Sequence, residues 1–268
     1  MQISTSESPS ISLGSLLQEE FDIYLGASSA FFDYLSNQSI IGFTPTQFAI
    51  YRDNFFYRTI NTIPSITKVL LAAAYHEDIE TLADAGKNLF DETGSGNHSM
   101  VHSSLLVTSH NVHAKKVFGL KPISLIDAQT SIHILDVAKA FCEKQRMLYE
   151  NSSYPIVLAA SYAQETAATS MLTTFYEHFF CSYKGFYSQK EFETLTIYFS
   201  CHINGVEKDH AEKAQRALLR ACNTKSDIEF VLWSVNTFLR AQSDLWNGLL
   251  RAMISVEGVE RSIPGNHS

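Results

Sequence analysis

The chain has 268 residues, 45% of them apolar and 18% charged, with a formal net charge of -8. That composition supplies a sizeable core and excludes a disordered chain. With no basic stretch to neutralise phosphates, nucleic acid and anionic membrane surfaces are excluded as partners.

Residues 1–12 are polar and Ser-rich and read as a flexible tail, without the basic and apolar regions of a signal peptide. A first helix is predicted at about 13–36, with Leu16, Phe21, Tyr24 and Leu25 on its apolar face. Thr44-Pro45-Thr46-Gln47 then joins an N-cap, a proline at the first helical position and a glutamine that closes a capping box. The helix it opens is predicted at about 45–74, kinked by Pro64. Helices follow at about 77–92, 97–117, 125–150 and 154–184. The last carries Ala159, Ala160, Ser161, Ala163, Ala167 and Ala168, small side chains that let neighbouring helices approach closely. Further helices are predicted at about 189–204, 206–222 and 227–256, with Ser188–Glu191 and Ser226–Glu229 as capping boxes. Residues 13–257 thus form one all-α domain, and 258–268 a second flexible tail. No run alternates like a strand, and stretches such as Val69–Ala74 are too short to cross a bilayer. The four cysteines, Cys142, Cys181, Cys201 and Cys222, form no CxxC pair and read as reduced thiols, so a cytoplasmic protein is expected.

Three segments concentrate metal-ligand residue types. In the first, residues 88–102, a helix ends in Glu92, a turn with Gly94 and Gly96 follows, and a new helix begins near His102. That turn can bring Glu92 and His102 to one metal; a plain helix end with a glycine cap is the alternative. In the second, Tyr162-Ala163-Gln164-Glu165, a carboxylate sits among small residues on a helix poor in charge. Burying it costs several kcal/mol unless it is paired or ligates a metal. The third runs from His202 to His210. Glu207 and His210 share a helix face, while His202 falls roughly 80° away in a regular helix. A π-bulge near Gly205 would bring the three closer to register; a solvated polar helix is the alternative. Mixed carboxylate and imidazole ligation suits non-haem iron or manganese, and two metals need bridging carboxylates.

Together these motifs resemble the haem-oxygenase-like diiron oxidases and oxygenases, a family that includes a chlamydial death-domain-associating protein and enzymes of natural-product biosynthesis. The resemblance rests on residues 88–96 with His102, on residues 162–165 and on His202 to His210, and the helical reading covers nearly the whole chain. It implies a haem-oxygenase-like seven-helix bundle and two iron ions held by Glu92, His102, Glu165, His202, Glu207 and His210. It also implies O2 as co-substrate and a small-molecule substrate, amino-acid-like or fatty-acid-like. The family's usual third motif is His-x3-Asp-x2-His. Here the spacing is one residue longer, Val206 occupies the acid position, and Glu207 stands in for it. Many members of this superfamily are dimers, so a homodimer is compatible with the resemblance. A carboxylate substrate would need a buried cation; Arg58 and Lys68 are available on a core helix, and both are read as ordinary surface charges. The competing reading is a non-catalytic helical interaction module that retains the metal site. A haem oxygenase proper is disfavoured because the predicted first helix has no histidine to bind haem axially.

Overall fold

Local capping signals set several helix starts in the computed structural model, which describes residues 9–203 and 205–260, without the side chains of 9–12, 206, 207 and 258–260. The α-helices are α1 (Pro9–Ile41), α2 (Pro45–Thr59), α3 (Thr62–Tyr75), α4 (Ile79–Glu92), α5 (His102–Phe118), α6 (Leu125–Ala128), α7 (Asp136–Tyr149), α8 (Tyr154–Phe175), α9 (Gln189–Leu195), α10 (Ile197–Ile203), α11 (Val206–Ala221) and α12 (Lys225–Glu260). Both halves of the capping box form at Thr44–Gln47 and at Ser188–Glu191. The expected box at Ser226 is displaced. Thr224 Oγ1 accepts from the Asp227 amide at 3.2 Å, and Asp227 Oδ2 accepts from the Thr224 amide at 2.8 Å. The earlier Thr-x-x-Asp signature lets α12 begin before Ser226.

Several predicted helices are divided. The predicted helix at 45–74 breaks at Ile60–Asn61, and Pro64 lies in the first turn of α3 instead of kinking a continuous helix. A first turn has no intrahelical partner for its amides, so the missing N–H costs nothing there. The predicted helix at 154–184 ends as α8 at Phe175 and continues as a π-helical turn, Tyr176–Phe180. α1 starts within the expected tail and α12 runs to Glu260; the rest of both tails lies outside the described residues.

α8 is central, packing against α3, α7, α10, α11 and α12, while α1 lies along α12. Ala159, Ala160 and Ala163 have no exposed surface, which permits that crowding. The α1–α12 seam is joined by the Tyr24 hydroxyl, which accepts from Gln242 Nε2 at 2.8 Å and Trp246 Nε1 at 3.0 Å. One connected apolar core runs from Leu13 to Met253. Among the described residues no helix is long and apolar enough to cross a membrane, and there is no strand.

Candidate metal centre

The turn between α4 and α5 folds back on itself because of its glycines. Gly94 has φ +87°, and a side-chain carbon there would lie 2.3 Å from the Asn97 carbonyl oxygen. The Asn97 amide donates to the Gly94 carbonyl at 2.8 Å, and the Asn97 side chain accepts from Ser99. This fold-back sets the last residue of α4 against the first of α5: Glu92 Oε1 lies 3.2 Å from His102 Nδ1, both residues being buried.

His202, in the last turn of α10, is also buried and presents its ring edge-to-face to His102, with centroids 4.6 Å apart. One ligand atom from each of Glu92, His102 and His202 lies within 4.8 Å of the other two. Beside this trio stand Glu165 on α8 and His210 on α11, with Glu165 Oε2 3.8 Å from His210 Nδ1. The other Glu165 oxygen accepts from Asn88 Nδ2 at 3.2 Å. Burial alone would raise the Glu92 carboxyl's pKa. The close His102 ring and the charges of His202, His102 and His210 outweigh burial and hold it below the usual range. The Glu92 carboxylate thus senses histidines from both groups.

Five of the six residues expected from the sequence therefore gather where α4, α5, α8, α10 and α11 meet. The side chain of Glu207 lies outside the described residues. The expected π-bulge near Gly205 is not what joins the third motif: α10 ends at Ile203, Gly205 takes φ +93°, and α11 starts at Val206. A left-handed residue re-aims the chain, which a glycine does without a Cβ penalty.

Glu92, His102, Glu165 and His202 line a cavity of about 260 Å3, with Tyr198, Gln164 and Arg58 in its wall. Glu165 also faces a pocket of about 40 Å3 that His210 and Asn88 line. Two residues of the neighbourhood announce themselves only by helical spacing. Asn88 is one turn before Glu92, and Tyr198, whose ring centroid is 4.7 Å from that of His202, is one turn before it. Arg58 is corrected from surface charge to buried wall residue, 8% exposed. Lys68 is the exposed charge expected, 3.5 Å from Glu150. The donor set fits non-haem iron or manganese: imidazole nitrogen and carboxylate oxygen, with no thiolate in the group.

No protein-family model matches the sequence, and no curated protein matches it. Solved structures do match the fold. Two crystal structures of a CADD-like protein of unknown function from Nostoc punctiforme superpose with TM-scores of 0.70 and 0.67 at 14% identity. They cover 91% and 92% of this chain and 99% and 98% of theirs. A domain of unknown function with a heme oxygenase-like fold from Shewanella denitrificans gives 0.62 at 14% identity, covering 98% of this chain and 99% of its own. The chain has an all-α, haem-oxygenase-like fold. These neighbours, CADD-like proteins and a heme oxygenase-like domain, agree with the resemblance carried by the three motifs.

Proposed function

We propose that this protein is a non-haem diiron oxidase or oxygenase that uses O2 to transform a small molecule. The observation that carries the reading is the buried trio of Glu92, His102 and His202, their ligand atoms within 4.8 Å, opening on a cavity. Glu165 and His210 are the neighbouring donors for a second ion, and Glu207 is the sixth donor offered by the third motif. When bound, reduced iron supplies the electrons that activate O2.

The chain's own residues prepare the site. The histidines keep the Glu92 carboxyl ionised, in the protonation state a ligand requires. Asn88 orients the Glu165 carboxylate, the kind of outer support that sets ligand direction. Apolar residues such as Phe55, Ile63, Ile66 and Met171 wall the cavity and limit water around a reacting molecule.

Elemental analysis of protein produced with added iron tests this. Iron is expected in the wild type, and Glu92→Ala should lower its content roughly tenfold or more while circular dichroism stays helical. Iron content unchanged in Glu92→Ala would refute the ligand set. A wild-type protein that takes up no iron and consumes no O2 would leave a helical interaction module.

A further inference from the structure

Gln164 precedes Glu165 on α8, is 8% exposed, and stands in the wall of the cavity that Glu92, His102 and His202 also line. Two residues of α7 fix which way its amide points. Gln145 Nε2 donates to Gln164 Oε1 at 2.8 Å, and the Tyr149 hydroxyl donates to the same oxygen at 3.1 Å. Burial raises the Tyr149 phenol well above its usual range, so that proton stays in place. An amide oxygen has two lone pairs, and here both are taken.

With its oxygen held by α7, Gln164 keeps its two Nε2 protons for the cavity. That nitrogen donates to no group among the described residues, and it is not sealed inside the protein as Asn88 Oδ1 is. Asn88 spends its own amide inside the fold, donating from Nδ2 to Glu165 Oε1 at 3.2 Å. A donor in a largely desolvated wall loses hydration and recovers it only by meeting an acceptor. Gln164 has no charge with which to hold an ion, and in the same wall the carboxylates of Glu92 and Glu165 outnumber the Arg58 cation. The matching partner is an uncharged carbonyl oxygen. A few fixed polar groups in an apolar lining are what orient a small ligand.

We infer that Gln164 is the specificity-determining residue of this cavity and that its Nε2 donates to the oxygen of a neutral carbonyl compound. The apolar remainder of that molecule lies against Phe55, Ile63 and Met171. This names a substrate class for the proposed oxidase and rests on that reading for its catalytic meaning, while the hydrogen-bond site itself needs no metal.

Pentan-2-one, 2-methylpent-1-ene and butanoate share a tail and a planar head, and they differ in offering a neutral oxygen, a methylene or a charged carboxylate. Each is titrated by ligand-observed NMR into the wild type as purified and after chelator treatment, and into Gln164→Met. The ketone should bind the wild type roughly threefold or more tighter than either analogue, and chelator treatment should leave that preference in place. Gln164→Met should lose it. No binding of the ketone, an alkene or butanoate that binds as well, or an unchanged preference in Gln164→Met overturns the proposal. If Gln164→Met fails to fold by circular dichroism, Gln145→Met takes its place. That change frees the amide to turn and should narrow the preference; an unchanged preference there also overturns the proposal. Iron content separates the two claims. Ketone preference in a protein that takes up no iron keeps the carbonyl site and removes the oxidase, and iron uptake without the preference does the reverse.

Discussion

His110 and His113, both on α5, show how burial sets the chemistry of a histidine. His110 donates from Nδ1 to the Leu106 carbonyl at 2.9 Å, leaving Nε2 to accept from the Tyr51 hydroxyl at 2.9 Å. His113 Nδ1 is 2.9 Å from the Tyr187 hydroxyl, and its ring packs on Phe180 and Phe48. Burial holds both imidazoles down at about 3, so they are neutral in the folded protein. In the unfolded chain they titrate near 6.5, so between about pH 6.5 and 3 the unfolded state binds more protons and stability falls as pH falls. Each histidine should cost roughly 1.5 kcal/mol between pH 6.5 and 5. Urea unfolding at those two pH values checks this: His113→Leu should be spared that part of the loss. His102 lies on the same helix, yet of the three it is the one that faces a carboxylate in the candidate metal-site trio. A histidine's letter in the sequence does not distinguish ligand from core; its partner across the fold does.

The α4–α5 turn is the element on which the candidate centre depends. Alanine at Gly94 would meet backbone atoms at 2.3 and 2.8 Å as well as a left-handed φ, so the turn must open. Gly96 has a similar φ, +85°, but nothing within 4 Å of an added carbon. Gly96→Ala should therefore cost about 1 kcal/mol and leave iron binding intact. Gly94→Ala should cost about 3 kcal/mol or more and separate Glu92 from His102, seen as lost iron in elemental analysis and a lower melting temperature. Wild-type iron content in Gly94→Ala would show that the fold-back is not what assembles the pair. The same local logic made the caps at Thr44 and Ser188 legible, because a capping box closes within four residues. It misplaced the start of α12, where two overlapping signatures compete and the structure uses Thr224–Asp227.

Across the whole molecule, the small face of α8 sets how closely the surrounding helices can pack. Ala163 is fully buried on a helix that contacts five others, so Ala163→Leu should destabilise by about 1–3 kcal/mol through overpacking. Equilibrium urea unfolding measures that loss, and wild-type stability would mean the bundle has slack at its centre. The all-helical class, the capping boxes at Thr44 and Ser188, the small-residue helix and the residues of the three motifs could be read from the chain, because helical periodicity and capping act over a few neighbours. The break before Pro64 and the break between α9 and α10 could not, since each depends on how two helices must be aimed to pack. The same holds for Arg58. As a letter on a core helix it is indistinguishable from Arg52, and only the tertiary structure leaves one paired with Asp53 and the other open to the cavity. Whether a charge is neutralised is decided by groups far away along the chain, and proximity of that kind is created only when the helices pack.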